Sequence, residues 1–162
     1  MGRPRRFYLN LGSNIMPESN LSAAIARLRA HGDIENMSSV WESGAVGSPG
    51  PNFLNICVGF AATLDEAELR HRIVLSIETA LGRQRGNDRH SPRTIDIDVM
   101  MVDGKPRSVD SWRHAFVIVP MAELLPHFVH PVTMKTLAEA ALEAQATTWI
   151  VRRPDVLKAR DG

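Results

Sequence analysis

The chain predicts an α+β sandwich: two amphipathic helices laid on one face of an antiparallel sheet in β-α-β-β-α-β order, followed by a C-terminal helical extension. Three observations carry that reading. Apolar residues recur at helical spacing in two well-separated windows. Apolar or alternating runs of strand length surround those windows, bounded by Gly, Pro and Asn. The length of 162 residues, 44% hydrophobic, suits one domain with a real core.

Residues 6–11 read as a short buried strand that ends at the turn Gly12-Ser13-Asn14. Ser13 or Asn14 is a candidate cap, as is Ser19 or Asn20, for a helix that places Leu21, Ala24, Ile25 and Leu28 on one face and stops near Gly32. Residues 34–41 look extended. Residues 44–51 hold three glycines and two prolines and read as a long loop. Residues 53–63 follow as a mostly buried strand. In the second helix, Leu69, Ile73, Ile77 and Leu81 recur every four residues, Asp65 and Glu66 favour its N-terminus, and Gly82 ends it. Residues 94–102 form a strand with Ile95, Ile97 and Val99 on one face and Thr94, Asp96, Asp98 and Met100 on the other. Beyond it the sequence predicts an extended stretch at 116–119, a helical turn at 121–125 and a terminal helix over 132–145. The order is that of a ferredoxin-like sandwich. The chain reads as a single domain over 1–162, with residues 1–5 and 156–162 flexible.

Nineteen basic residues against eighteen acidic ones leave a net charge of +1, which argues against nucleic acid or an anionic membrane as partner. The lone Cys57 excludes an internal disulfide and a cysteine-rich zinc site and suits a reducing compartment. The basic residues 1–6 are not followed by the apolar run of a secretory signal. A cytoplasmic location is the expectation. His127 and His130 have a metal-like spacing, yet Pro126 and Pro131 bracket them without further ligands, so they read as structural.

The near-neutral total conceals a local segregation. Arg83, Arg85, Arg89 and Arg93 crowd eleven residues with one acid, Asp88. Asp96 and Asp98 then project from one face of a strand. Either feature alone usually means solvated surface. Together they describe a site: paired carboxylates repel unless a cation lies between them, hard oxygen ligands favour Mg²⁺, and arginines clamp phosphates. That combination points to phosphoryl transfer from a nucleotide by positioning and electrostatics. No Walker A run and no protein-kinase signature is present.

The segment Arg89-His90-Ser91-Pro92-Arg93-Thr94-Ile95-Asp96-Ile97-Asp98-Val99-Met100 resembles the signature of the 6-hydroxymethyl-7,8-dihydropterin pyrophosphokinases of folate biosynthesis. Leu11-Gly12-Ser13-Asn14, Ser38-Ser39-Val40-Trp41-Glu42-Ser43, Phe53-Leu54-Asn55, and Ile77-Glu78 with Gly82-Arg83-Gln84-Arg85 follow in the family's order, so the resemblance runs from about residue 8 to about residue 136. It implies transfer of diphosphate from ATP to the hydroxymethyl group of the pterin, giving AMP, with two Mg²⁺ ions held by Asp96 and Asp98. By the same resemblance, Arg83, Arg89 and Arg93 handle the triphosphate, Arg85 belongs to a catalytic loop, and backbone near Val99 together with the stretch 107–111 meets adenine. Asp96 is also a candidate to take the hydroxyl proton, a task that metal lowering of that pKa can share. Phe53 and Phe116 would sandwich the pterin, Asn55 would read its edge, and backbone groups of Ser43, Gly44 and Val46 would cover the rest.

Three departures stand out. His90 replaces a tryptophan, Ser43-Gly44 replaces Thr-Pro, and the segment between Asp98 and Phe116 is short. That segment lacks a Pro-His pair and puts His114, next to Arg113, where an arginine is expected; either residue is a candidate substitute phosphate contact. Two further readings therefore stay open: a non-catalytic pterin- or nucleotide-binding homologue, and a pyrophosphokinase of a modified pterin. Small-molecule substrates are the expected partners.

Overall fold

Nine residues of β1 (Arg5–Ser13) form the centre of the sheet, pairing antiparallel with both β4 (Phe53–Ala62) and β5 (Asp96–Val102). The computed structural model describes residues 2–46, 49–82 and 94–157. With β3 (Trp41–Ser43), β6 (Lys105–Pro106) and β7 (Ile150–Arg152), the strand order is β6-β5-β1-β4-β3-β7, and β2 (Asp33–Met37) also lies on β4. Both β2 and β3 pair with β4, one after the other, so they act as one strand broken at Ser38. There the Ser38 amide donates to the Cys57 carbonyl, 2.9 Å, and the Cys57 amide donates to the Ser38 hydroxyl, 2.9 Å. The side chain thus replaces a missing ladder acceptor. Without the short β6 and β7, the order is that of the expected ferredoxin-like sheet.

One sheet face carries the main core. Phe7, Leu9 and Leu11 of β1, Ile56, Val58 and Phe60 of β4, and Ile97 and Val99 of β5 are buried there against two helices. The first, α1 (Pro17–Arg29), buries Leu21, Ala24, Ile25 and Leu28 as the periodicity requires. Its start differs from the expectation. Pro17 opens it behind Met16, with no side-chain cap, because the fixed φ of proline suits a first helical turn. Ser13 and Asn14 instead donate to the Ile15 and Pro51 carbonyls.

The second helical stretch runs through α2 (Glu66–Glu68), a π segment (Leu69–Val74) and α3 (Leu75–Ala80). The four-residue spacing explains the π segment. In a pure α-helix, three steps of four residues turn the stripe about 120° away from its face. A wider π turn returns Leu69, Ile73 and Ile77 to one line, and all three are buried. An Asp65–Glu68 capping box starts the stretch, and Gly82, at φ 82°, follows it.

The opposite face is covered by the C-terminal part of the chain, where the structure corrects the sequence twice. Residues 116–119 are not extended: they belong to α4 (Ala115–Leu124), which also absorbs the turn expected at 121–125. Val117-Ile118-Val119-Pro120 has poor helix propensity, but burial overrides it. Val117 and Met121 pack with Cys57, Met100 and Trp112, while Ile118 and Val119 pack with Trp41, Ala140 and Ile150. The terminal helix, α5 (Leu137–Thr147), starts five residues later than expected, at a Thr136–Glu139 capping box. His130 holds the preceding turn: its Nδ1 accepts from the Val132 and Thr133 amides and its Nε2 bonds the Trp112 carbonyl, so its role is structural. Val156, assigned to a flexible end, is buried in the main core, while residues 158–162 lie outside the described residues.

Candidate active site

The pleat assembles the site. Side chains of directly paired residues share a face, and β5, β1 and β4 are in register such that Asp96 faces Gly12 and Gly12 faces Asn55. One row along, Asp98 faces Asn10 and Asn10 faces Cys57. Asp96 and Asp98 are half-buried. A bulge between Tyr8 and Leu9 of β1 shifts the register so that Met100 and Met101 both pack into the α4 cluster. The two aspartates therefore lie before the bulge and the apolar residues after it.

β5 is pinned from its open edge. Glu78 of α3, only 3% exposed, accepts the Ile97 amide at 3.0 Å, the backbone donor between the two aspartates. Ser108 Oγ donates to the Val99 carbonyl at 3.0 Å. Glu78 is thus a buried strut under the aspartates. The Val99 side chain is core, which leaves only its backbone to serve a ligand.

Next to the carboxylates lies an amide and aromatic patch. Asn55 is buried and its Nδ2 donates to Ser43 Oγ at 3.2 Å. Gly12 makes this possible: a Cβ there would sit 2.7 Å from Asn55 Oδ1 and 3.8 Å from the Phe53 ring, so the missing side chain lets both lean over β1. Phe53 stands beside Ser43 in the β3–β4 register. Gly44 and Val46 are exposed at the mouth of the following loop. From α4, Phe116 stacks on His114 with centroids 4.7 Å apart and planes at 11°. Burial, then the nearby Arg113 charge, holds the His114 pKa below its ordinary value, so the stacked ring is neutral near pH 7.

Trp41 and Glu123 are contributors the sequence reading missed. Glu123 of α4 accepts from Trp41 Nε1 at 2.6 Å and from the amide and hydroxyl of Ser39, fastening the Phe116 helix to the β3 edge. The only sequence signal was an acid placed among apolar residues. Cys57 is a packed side chain: burial pushes its thiol pKa well up, which leaves no thiolate for chemistry. Arg113 and His114 part company. Arg113 lines a cavity of about 520 Å³ together with Asp110, Ile118 and Ala140, between α4 and α5, that shares no residue with the aspartate face. Arg83, Arg85, Arg89, Arg93 and His90 lie outside the described residues.

The donor set suits Mg²⁺. Among the described residues no group of three or more His, Cys, Asp or Glu could enclose a metal ion. Mg²⁺ does not ask for one, since it takes one or two protein carboxylates and fills its shell with phosphate oxygens and water. A buried amide oxygen without a partner, Asn10 Oδ1, lies beside Asp98.

Comparison with known proteins agrees with this chemistry. The family model described as 7,8-dihydro-6-hydroxymethylpterin-pyrophosphokinase (HPPK) matches residues 8–126. A 2-amino-4-hydroxy-6-hydroxymethyldihydropteridine pyrophosphokinase of Synechocystis sp. is 34% identical over 156 residues, covering 88% of this chain and 78% of the relative. The enzyme of the same description from Methylorubrum extorquens is 36% identical, covering 76% and 85% respectively. Among solved structures, Plasmodium falciparum HPPK-DHPS superposes with a TM-score of 0.67 at 11% identity, over 88% of this chain and 45% of that one, a likeness of fold. No described helix is long and apolar enough to cross a membrane. The chain belongs to the 7,8-dihydro-6-hydroxymethylpterin pyrophosphokinase family.

Proposed function

We propose that this chain performs the family's reaction, the ATP-dependent diphosphorylation of 6-hydroxymethyl-7,8-dihydropterin in folate biosynthesis, on the sheet face that carries Asp96, Asp98, Asn55 and Phe53. The observation that carries this assignment is the register: Asp96, Gly12 and Asn55 fall in one row across three strands, so cation ligands and a pterin-reading amide share a face. Asp96 and Asp98 hold two Mg²⁺ ions, which when bound supply charge neutralisation for the triphosphate and acidify the attacking hydroxyl. Phe53 and Phe116 stack on the pterin and Asn55 reads its edge, with backbone of Ser43, Gly44 and Val46 around it. Arg83, Arg89 and Arg93 neutralise the phosphates, and Arg85 takes part in catalysis, as the family resemblance implies. The pterin hydroxymethyl oxygen gives up its proton to Asp96 or to water and bonds to the β-phosphorus as the bond from that phosphorus to the α–β bridging oxygen breaks, and AMP leaves with that oxygen. The protein's contribution is alignment of the two substrates and a water-poor, charged setting. A single buried thiol suits a cytoplasmic setting.

The test is direct. Purified protein is incubated with ATP, MgCl₂ and 6-hydroxymethyl-7,8-dihydropterin, and AMP is followed. AMP formation that is lost in Asp98→Ala supports the assignment. Tight binding of both ligands with no AMP formed overturns it.

A further inference from the structure

Asn10 is the one residue of the aspartate rows whose chemistry is unaccounted for. It is 2% exposed, and its Oδ1 is fully buried with no hydrogen-bond partner among the described residues. Unsatisfied buried acceptors are rare, and a native one asks for an explanation such as a water or ion. Its position supplies one. Asn10 pairs directly with Asp98 across β1 and β5, which puts the two Cβ atoms about 5 Å apart on the same face. On its other side the paired residue is Cys57, which makes no hydrogen bond to it. Beyond that lies the apolar cluster of Met100, Trp112 and Met121, whose packed side chains offer the amide no partner. Of its two strand partners, Asp98 is the one that offers a polar side chain.

We propose that Asn10 is an outer partner of the cation site, its Oδ1 accepting a hydrogen bond from a water bound to the divalent cation at Asp98. This rests on the reading of Asp98 as a cation ligand. A water bound to a divalent cation is a strong donor that needs an acceptor, and outer partners of this kind orient the ligands and tune affinity. A neutral amide oxygen suits the place better than a third carboxylate, because it adds an acceptor without adding charge that the triphosphate would meet. Leucine, of similar branched shape, would suit the neighbouring apolar cluster better than an amide. The amide therefore marks a function directed at the aspartates and not at the core.

The experiment is a calorimetric titration of Mn²⁺ into the protein with α,β-methylene ATP, whose α–β bridge cannot be cleaved, for wild type, Asn10→Leu, Asn10→Asp and Asp98→Asn. Thermal melting of the metal-free proteins runs alongside. Asn10→Leu is expected to melt at or above the wild-type temperature and to bind Mn²⁺ about tenfold more weakly, with metal-free nucleotide binding unchanged. Asn10→Asp is expected to bind Mn²⁺ more tightly. Wild-type Mn²⁺ affinity in Asn10→Leu overturns the inference, as does an equal loss of metal-free nucleotide binding, which would mark a purely structural role. If Asn10→Leu does not fold, the same titration on Asn10→Ala decides. Asp98→Asn separates the two levels. If it too leaves Mn²⁺ binding intact, the cation site itself is misplaced; if it alone weakens binding, only the role of Asn10 fails.

Discussion

At Gly12 a hydrogen atom does what no side chain could. The Asn55 amide and the Phe53 ring both close over β1 because nothing projects from it. Gly12→Ala forces a contact of 2.7 Å with Asn55 Oδ1, and relief requires moving the amide. The expected cost is about 1–3 kcal/mol of stability. The expected kinetic effect is a rise of about tenfold in KM for the pterin, equivalent to about 1.4 kcal/mol, with KM for ATP little changed; steady-state kinetics in each substrate checks it. His114 gives a second test at this scale. Burial keeps its pKa in the folded protein below the ordinary 6.5, so below that pH the unfolded chain binds the extra proton and the folded one resists it. Stability is therefore full above about pH 6.5, declines as pH falls toward the folded-state value, and levels off below it. Thermal melts from about pH 8 to about pH 5 are expected to fall less steeply in His114→Gln than in wild type. Two-residue alternation put Asp96 and Asp98 on one strand face, where the structure also has them, but only the neighbouring arginines and the family resemblance marked that face as a site, and Asn55 was marked by the resemblance alone. Asn10 was hidden, since a lone asparagine in a short buried strand has no evident partner until the register sets it opposite Asp98.

At the scale of elements, the site depends on how α4 is moored. Glu123 receives three donors from Ser39 and Trp41, and the same helix carries Phe116 near its start. Glu123→Ala leaves those donors unpaired, at about 1–3 kcal/mol, and frees the helix from the β3 edge. Lower thermal stability is expected together with a raised KM for the pterin, and a stability loss with unchanged pterin KM would separate Glu123 from the site. Helix α4 is also where sequence reading failed. A Val-Ile-Val-Pro run carries every local mark of a strand end, and only burial on two sides, against the sheet and against α5, makes a helix of it. The π segment was half legible: the four-residue repeat was plain, but periodicity alone does not say that the backbone widens to keep it in line. The short β7 gave no pattern long enough to read.

For the molecule as a whole, structure and chemistry are separable. The core lies on the far side of the sheet from the aspartates, and two carboxylates do not make a structural metal cage. Chelation with EDTA is expected to abolish AMP formation while leaving the melting temperature of the nucleotide-free protein unchanged. Mg²⁺ and a nucleotide analogue added together are expected to raise it, by linkage. A melting temperature that dropped on chelation alone would show that the ions hold the fold. The topology was legible because each strand and helix of the β-α-β-β-α-β order has its own local pattern. The third layer was not, because it arises from tertiary packing of segments with mixed local signals.

The pairing of β7 with β3 joins residues more than a hundred positions apart, Trp41 with Arg152 and Ser43 with Ile150. Arg153 then clasps Glu42 and Asp155 beside that seam. Contacts so distant in sequence are costly to close and form late, and during synthesis β7 emerges after every strand it joins. Until it does, the strand bearing Ser43 is an open edge, available for pairing with another chain. The edge proposed to border the pterin is thus the last masonry laid, and a nascent molecule is most exposed to misassembly there.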